Sequence, residues 1–171
     1  MRAAAHEGPY TPLPVPLPSA DKTLVTAASD AIRSMYVPEW QHIGAALRAT
    51  SGRVYTGVNL DAYVGRCAVC AEAVVLGSAY ASGERAFDSI VAVRYVGRGV
   101  PVVVNPCGIC RELLSDYGDP YVIHRGERGR LVRTRASALL PKSYGRAGES
   151  RPSLEKRERA ARRIREGGRT R

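Results

Sequence analysis

Four cysteines in two Cys-x-x-Cys pairs constrain this chain more than any other feature. The first pair reads Cys67-Ala68-Val69-Cys70 and runs on into Ala71-Glu72; the second reads Pro106-Cys107-Gly108-Ile109-Cys110-Arg111. Cysteines one helical turn apart are soft ligands suited to zinc. Two arrangements compete. All four thiolates can close a structural site, which holds no water and does no chemistry. Alternatively, Cys70, Cys107 and Cys110 hold one Zn²⁺ per chain and leave a fourth position for a water acidified to a pKa near ~7. Glu72, a carboxylate two residues past Cys70, is then the catalytic group that shuttles protons. The open site is favoured on two counts. The 36 residues between Cys70 and Cys107 exceed the usual knuckle spacing, and a closed site leaves Glu72 unexplained. Cys67 becomes a spare thiol beside the site.

A chain of 171 residues is long enough for one domain with a real core. It contains no apolar run near the length of a membrane span. Its Pro- and Ala-rich start lacks the charged-then-apolar pattern of a signal peptide, so a cytoplasmic protein is expected, with metal binding rather than disulfides. Residues 145–171 carry ten Lys and Arg against four Glu, so +6 of the formal +10 belongs to the tail. The basicity therefore says little about the site. It does raise a rival from another class, a nucleic-acid-binding protein with structural zinc. One Phe and one Trp leave that rival short of stacking platforms, so nucleic acid is not the expected partner.

Three segments are expected: a proline-rich arm over 1–18, a domain over 19–145 and a basic tail over 146–171. Proline at 9, 12, 14, 16 and 18 forbids helix and sheet interior. An arm read by a polyproline-binding partner is the less favoured alternative. Ser19 or Asp21 starts a helix to about Tyr36, with Leu24, Ala28, Ala31, Ile32 and Met35 on one face. Ile43 to Ala49 and Arg53 to Asn59 read as a hairpin turned at Ser51-Gly52. A helix follows from Cys70 to about Ala81, with Val74, Val75 and Ser78 on its apolar stripe and Gly83 ending it. Strands are expected at 89–93, 100–104, 121–123 and, as a short edge, 131–132, with a second metal-bearing helix at 107–115. The alternation after the hairpin predicts an α/β fold, helices on both faces of a mixed sheet. The tail reads as a helix over 153–166 without an apolar face, frayed or disordered.

These motifs resemble the zinc-dependent cytidine deaminase family. Zinc deaminases carry His-x-Glu followed by Pro-Cys-x-x-Cys, with an all-cysteine variant of the metal site. Cys70-Ala71-Glu72 and Pro106 to Cys110 stand in those places. Gly44-Ala45-Ala46-Leu47 and Gly52 to Asn59 resemble the family's opening strands, and Leu139 to Tyr144 looks like its closing segment. The resemblance implies a three-layer α-β-α sandwich around a mixed five-stranded sheet. It implies hydrolytic deamination of a free cytosine nucleoside, cytidine or deoxycytidine, with release of ammonia. It also implies a homotetramer, in which Tyr144 reaches a neighbouring subunit's site; local packing is the alternative role for Tyr144. Asn59 and Asp61 stand where the family binds sugar hydroxyls, unless they simply turn the chain after a strand. The backbone N–H groups at Ala71 and Cys70 would meet the substrate's carbonyl. Trp40 would pack on the base after a small shift, or else belong to the core.

Three positions depart from the family pattern. The acid at 61 is Asp, one methylene shorter than the usual Glu. Ala73 replaces an Arg that neutralises the thiolates, a role that falls to Arg111. The string Cys70 to Gly77 looks more like blasticidin S deaminase, a relative acting on a cytosine nucleoside antibiotic. His42 and Arg53 read as surface or structural residues.

Overall fold

A computed structural model describes residues 17–145, together with Lys156 and Arg159. Most of the proline-rich arm and the basic tail lie outside the described residues; Lys156 and Arg159 are helical and exposed. The elements are α1 (Ser19–Met35), β1 (Ile43–Ala49), β2 (Val54–Val58), α2 (Ala71–Ala81), β3 (Phe87–Arg94), β4 (Val102–Val104), α3 (Gly108–Asp116), β5 (Tyr121–Arg125) and β6 (Leu131–Arg135).

The sheet runs β2-β1-β3-β5-β6, with β4 also pairing to β3. The β3–β5 pair is parallel and the others are antiparallel, so the sheet is mixed as expected, with a sixth short strand added to the five. Alternation sorts its side chains. Ala45, Leu47, Ile90, Ala92 and Val122 face one way, onto Ala71, Val75, Leu76 and Ala79 of α2 and Leu114 of α3. Ala46, Val58, Val91, Val93 and Ile123 face the other, onto Leu24, Ala28 and Ile32 of α1. The result is three layers, α-β-α.

Helix α1 approaches β1 closely because residue 44 has no side chain. A Cβ there would lie 2.6 Å from Ala28 O and 2.7 Å from Ile32 Cβ. Gly83 ends α2 from the left-handed region at φ +92°. Its N–H returns to Tyr80 O and that of Glu84 to Ala79 O, which satisfies the last carbonyls of the helix.

Some sequence expectations shift. Met35 is 41% exposed, so the buried stripe of α1 stops at Ile32. The stripe of α2 is Ala71, Val75, Leu76 and Ala79; Ser78 faces solvent. The last strand is five residues, not two. Asp21 does not cap α1: Pro18 precedes the helix, and the Asp21 side chain is fully buried. It pairs with Arg48 of β1. Arg48 also donates to Asp88 at 2.6 Å, and Arg133 of β6 donates to Asp88 at 2.8 Å while lying 3.5 Å from Asp21. Two acids and two bases thus lace α1, β1, β3 and β6 together.

Candidate active site

The chemistry gathers where β1 begins and β3 ends. Leu60 and Val69 exchange backbone hydrogen bonds at 2.9 and 2.8 Å. That closes the loop after β2 and sets Cys70 beside the strand end that carries Asn59 and Asp61. Cys70 is the residue before α2, and Cys107, after the break at Pro106, is the residue before α3. The first amides of a helix lack intrahelical acceptors and favour negative charge. Here the Cys110 N–H donates to Cys107 Sγ at 3.4 Å.

The Sγ atoms of Cys70, Cys107 and Cys110 lie within 4.8 Å of one another, and Cys70 and Cys107 are 3.6 Å apart. Two sulfurs on a tetrahedral zinc with bonds near 2.3 Å would be separated by ~3.8 Å. The three thiolates therefore fit one zinc ion with little movement. Cys67 is exposed in a 3-10 turn, Gly65–Cys67, and is not a member of the trio. This arrangement does not support the closed four-cysteine site. Glu72, in the first turn of α2, is 6% exposed and lines the same cavity.

Crowded acids shape the electrostatics. Burial pushes the Glu72 carboxyl above the usual carboxylate range. Burial also raises Cys110, helped by the charges of Glu72 and the other two cysteines. Cys70 is raised by burial and by its bond to Cys107. Burial opposes ionisation of Cys107 too, but the Cys110 amide and the neighbouring thiols outweigh it and bring Cys107 below its ordinary value. Four acidic groups with no basic side chain among the causes of their shifts form a site made for a cation.

A cavity of about 380 Å³ opens onto this centre. Ala71, fully buried, forms part of its wall, as do Asn59 and Asp61. The Asn59 amide is largely committed, however. Its Oδ1 accepts from the His42 and Ile43 N–H groups at 3.0 and 2.9 Å, and its Nδ2 donates to Trp40 O at 2.8 Å. Asp61 Oδ1 accepts from the Ala62 N–H at 2.8 Å.

Two expected members, Trp40 and Arg111, are placed elsewhere. Trp40 does not line the cavity; its ring meets Tyr63 edge-on, with centroids 5.2 Å apart. Tyr144, expected to reach a neighbouring subunit's site, is 75% exposed and lies outside the cavity of its own chain. Arg111 does not line the cavity; its Nε donates to Pro106 O at 3.0 Å and its Nη1 to Leu139 O at 3.3 Å. It clamps the second metal loop to the closing segment. Conversely, His42 and Asn105 line the cavity, which the sequence reading did not anticipate. The signal for Asn105 was its place immediately before Pro106-Cys107.

A three-layer α/β/α domain that presents three convergent thiolates and a buried, non-ligating carboxylate in one cavity is, by fold and site, a metal-dependent hydrolase of small molecules. The family described as the cytidine and deoxycytidylate deaminase zinc-binding region matches residues 18–125, and this chain belongs to it. Blasticidin-S deaminase of Bacillus cereus is 42% identical over 131 residues, covering 74% of this chain and 93% of that protein. Cytidine deaminase of Sporosarcina psychrophila is 28% identical over 126 residues, covering 72% and 90%. The crystal structure of cytidine deaminase from Burkholderia pseudomallei superposes with a TM-score of 0.60 at 31% identity, over 72% of this chain and 98% of that one.

Proposed function

We propose that the chain carries out zinc-dependent hydrolytic deamination of a cytosine nucleoside, converting cytidine or deoxycytidine and water into uridine or deoxyuridine and ammonia. The observation that carries this reading is the placement of Glu72 in one cavity with the Cys70, Cys107 and Cys110 trio. Zinc held there supplies an acidified water as nucleophile. The chain's own groups do the rest. Glu72, whose carboxyl burial raises above the usual carboxylate range, takes the proton of the attacking water, delivers it to the ring nitrogen, and passes a proton to the departing amine. Ala71 opens the α2 helix and lines the cavity, and its N–H, which has no intrahelical acceptor, would hold the base carbonyl.

Sugar recognition falls on Asp61, which keeps Oδ2 beyond its bond to Ala62, and on the second amide hydrogen of Asn59. Deoxycytidine should therefore be turned over faster than free cytosine. Without the sugar, desolvated polar groups stay unpaired at about 1–3 kcal/mol each. Asp61→Ala should narrow the gap between nucleoside and base; equal rates on both with the unaltered chain would remove the sugar contact.

A second reading is an antibiotic-type nucleoside deaminase, favoured by the 42% identity to blasticidin-S deaminase and by Ala73 in place of Arg. Ammonia release from cytidine, deoxycytidine, cytosine and blasticidin S compared side by side separates the two.

The same reading extends to the assembly and setting. Exposed Tyr63 and Val64 on the loop before Cys70, with exposed Ile109 in the first turn of α3, support a homotetramer, to which Tyr144 would contribute. No helix among the described residues is long and apolar enough to cross a membrane. On the family resemblance we place the chain in cytoplasmic pyrimidine salvage, with a domain boundary near Gly145 that leaves the basic tail outside the catalytic unit.

A further inference from the structure

Val104 and Asn105 line a second cavity as well as the first. It holds about 500 Å³ and is walled by valines, with Arg94 and Arg125 as its charged members. Strand pairing brings these two together. Arg94 stands opposite Val102 across the β3–β4 pair. The backbone N–H of Arg125 donates to Asn105 Oδ1 at 2.9 Å, which pins the end of β5 beside β4 and leaves the Asn105 NH₂ as a donor. Further exposed arginines follow on the adjoining connections: Arg98 between β3 and β4, and Arg128 and Arg130 in the β5–β6 turn. Among the described residues, none of these five guanidiniums is in an ion pair, whereas Arg48 and Arg133 both are.

Unpaired like charges against apolar walls repel one another, and low-dielectric walls focus their potential. Guanidinium groups match the oxygens of a phosphate in geometry as well as charge. The lining offers no aromatic ring on which a strand of bases could stack, so a small molecule fits better than a polymer. We propose that this cavity is a phosphate-binding subsite, held by Arg94, Arg125 and Asn105 and joined to the catalytic cavity at Val104. The phosphate belongs either to the substrate, as a cytosine nucleotide reaching across Asn105, or to a separate phosphorylated effector. Only the assignment to the substrate rests on the deaminase reading.

The test uses the full-length, zinc-loaded chain and inorganic pyrophosphate, titrated calorimetrically at low salt. The unaltered protein should bind saturably, and Arg94→Gln/Arg125→Gln should bind at least tenfold more weakly with an unchanged melting temperature. Absence of saturable binding, or equal binding by the double variant through the basic tail, would overturn the subsite. Single Arg94→Gln and Arg125→Gln chains, each expected to weaken binding, keep the test decisive if the double variant folds poorly. Turnover then assigns the source. A substrate phosphate makes deoxycytidine 5′-monophosphate a substrate whose KM rises at least tenfold in the double variant while that of deoxycytidine does not follow. An effector phosphate makes pyrophosphate change deoxycytidine turnover without competing for the active site. A chain that binds pyrophosphate through these arginines yet deaminates nothing would retain the subsite and lose the deaminase reading.

Discussion

The molecule holds two clusters of ionisable side chains at opposite ends of β1 and β3. At one end, Asp21, Asp88, Arg48 and Arg133 form a balanced set in which each charge faces an opposite one. At the other, Cys70, Cys107, Cys110 and Glu72 are all acids, crowded together without a base. The balanced cluster needs no further ion, although Asp21 Oδ2 and Arg133 Nε, 3.5 Å apart, form no hydrogen bond, and its work is to tie α1 to three strands. The unbalanced one is stable only when its groups stay protonated or when a cation joins them. That difference separates a structural device from a functional one more sharply than burial does, since Asp21 is more deeply buried than Glu72.

The comparison breaks first at the ligands. Cys110→Ser should lose the metal, and with it turnover and much of the thermal stability, because the thiolates join two helices. Cys67→Ser should keep about one zinc per chain by elemental analysis. Zinc loss from Cys67→Ser, or retention by Cys110→Ser, would redraw the ligand set. Glu72→Ala comes next: zinc stays, and turnover falls by ~10³-fold or more, since general acid–base help is worth ~10²–10⁴. An active Glu72→Ala enzyme would end the proposed mechanism.

At the balanced end the effects are on stability alone. Asp21→Asn leaves Arg48 and Arg133 sharing the single charge of Asp88, a loss of ~1–3 kcal/mol that should lower the melting temperature by about 5 °C. Unchanged melting would mean that the cluster is dispensable. The smallest effect is the pH response of Asp88. Burial opposes its charge, but the hydrogen bonds and charge of Arg48, with Ser89 and Arg133, hold its carboxyl below the usual range. Its stabilisation is present above the ordinary carboxylate pKa near ~4 and is lost as pH falls through the lower native value. Asp88→Asn should therefore flatten the acid side of a melting-temperature profile; an unaltered profile would assign that acid sensitivity to other groups.

These clusters were unequally legible in the sequence. The metal site could be read because its ligands sit in two short motifs at helix starts, and β2 could be read because Val54 and Val58 alternate with polar neighbours. Asp21 looked like an ordinary first-turn acid. Its partners are 27 and 112 residues away, and only the folded sheet brings Arg48 and Arg133 to it. His42 and Asn105 were missed for the same reason: each lies at the mouth of a strand whose neighbour is set by topology, not spacing. Trp40 and Arg111 misled because the residue types suit the expected roles, whereas the backbone turns the Trp40 ring toward Tyr63 and gives the Arg111 donors two carbonyls instead. The last strand was expected only over Leu131-Val132, where its apolar pair ends; it runs on to Arg135, with Arg133 and Arg135 both stacked on Tyr121.

Cys67 stands exposed just outside the trio, and that gives the chain a built-in gauge. Thiolates engaged by zinc react sluggishly with alkylating or disulfide reagents, while a free surface thiol reacts readily. A colorimetric thiol count should thus read one group per loaded chain and four once a chelator has stripped it. Occupancy of a preparation can be followed in this way on a bench spectrophotometer, before any substrate is added.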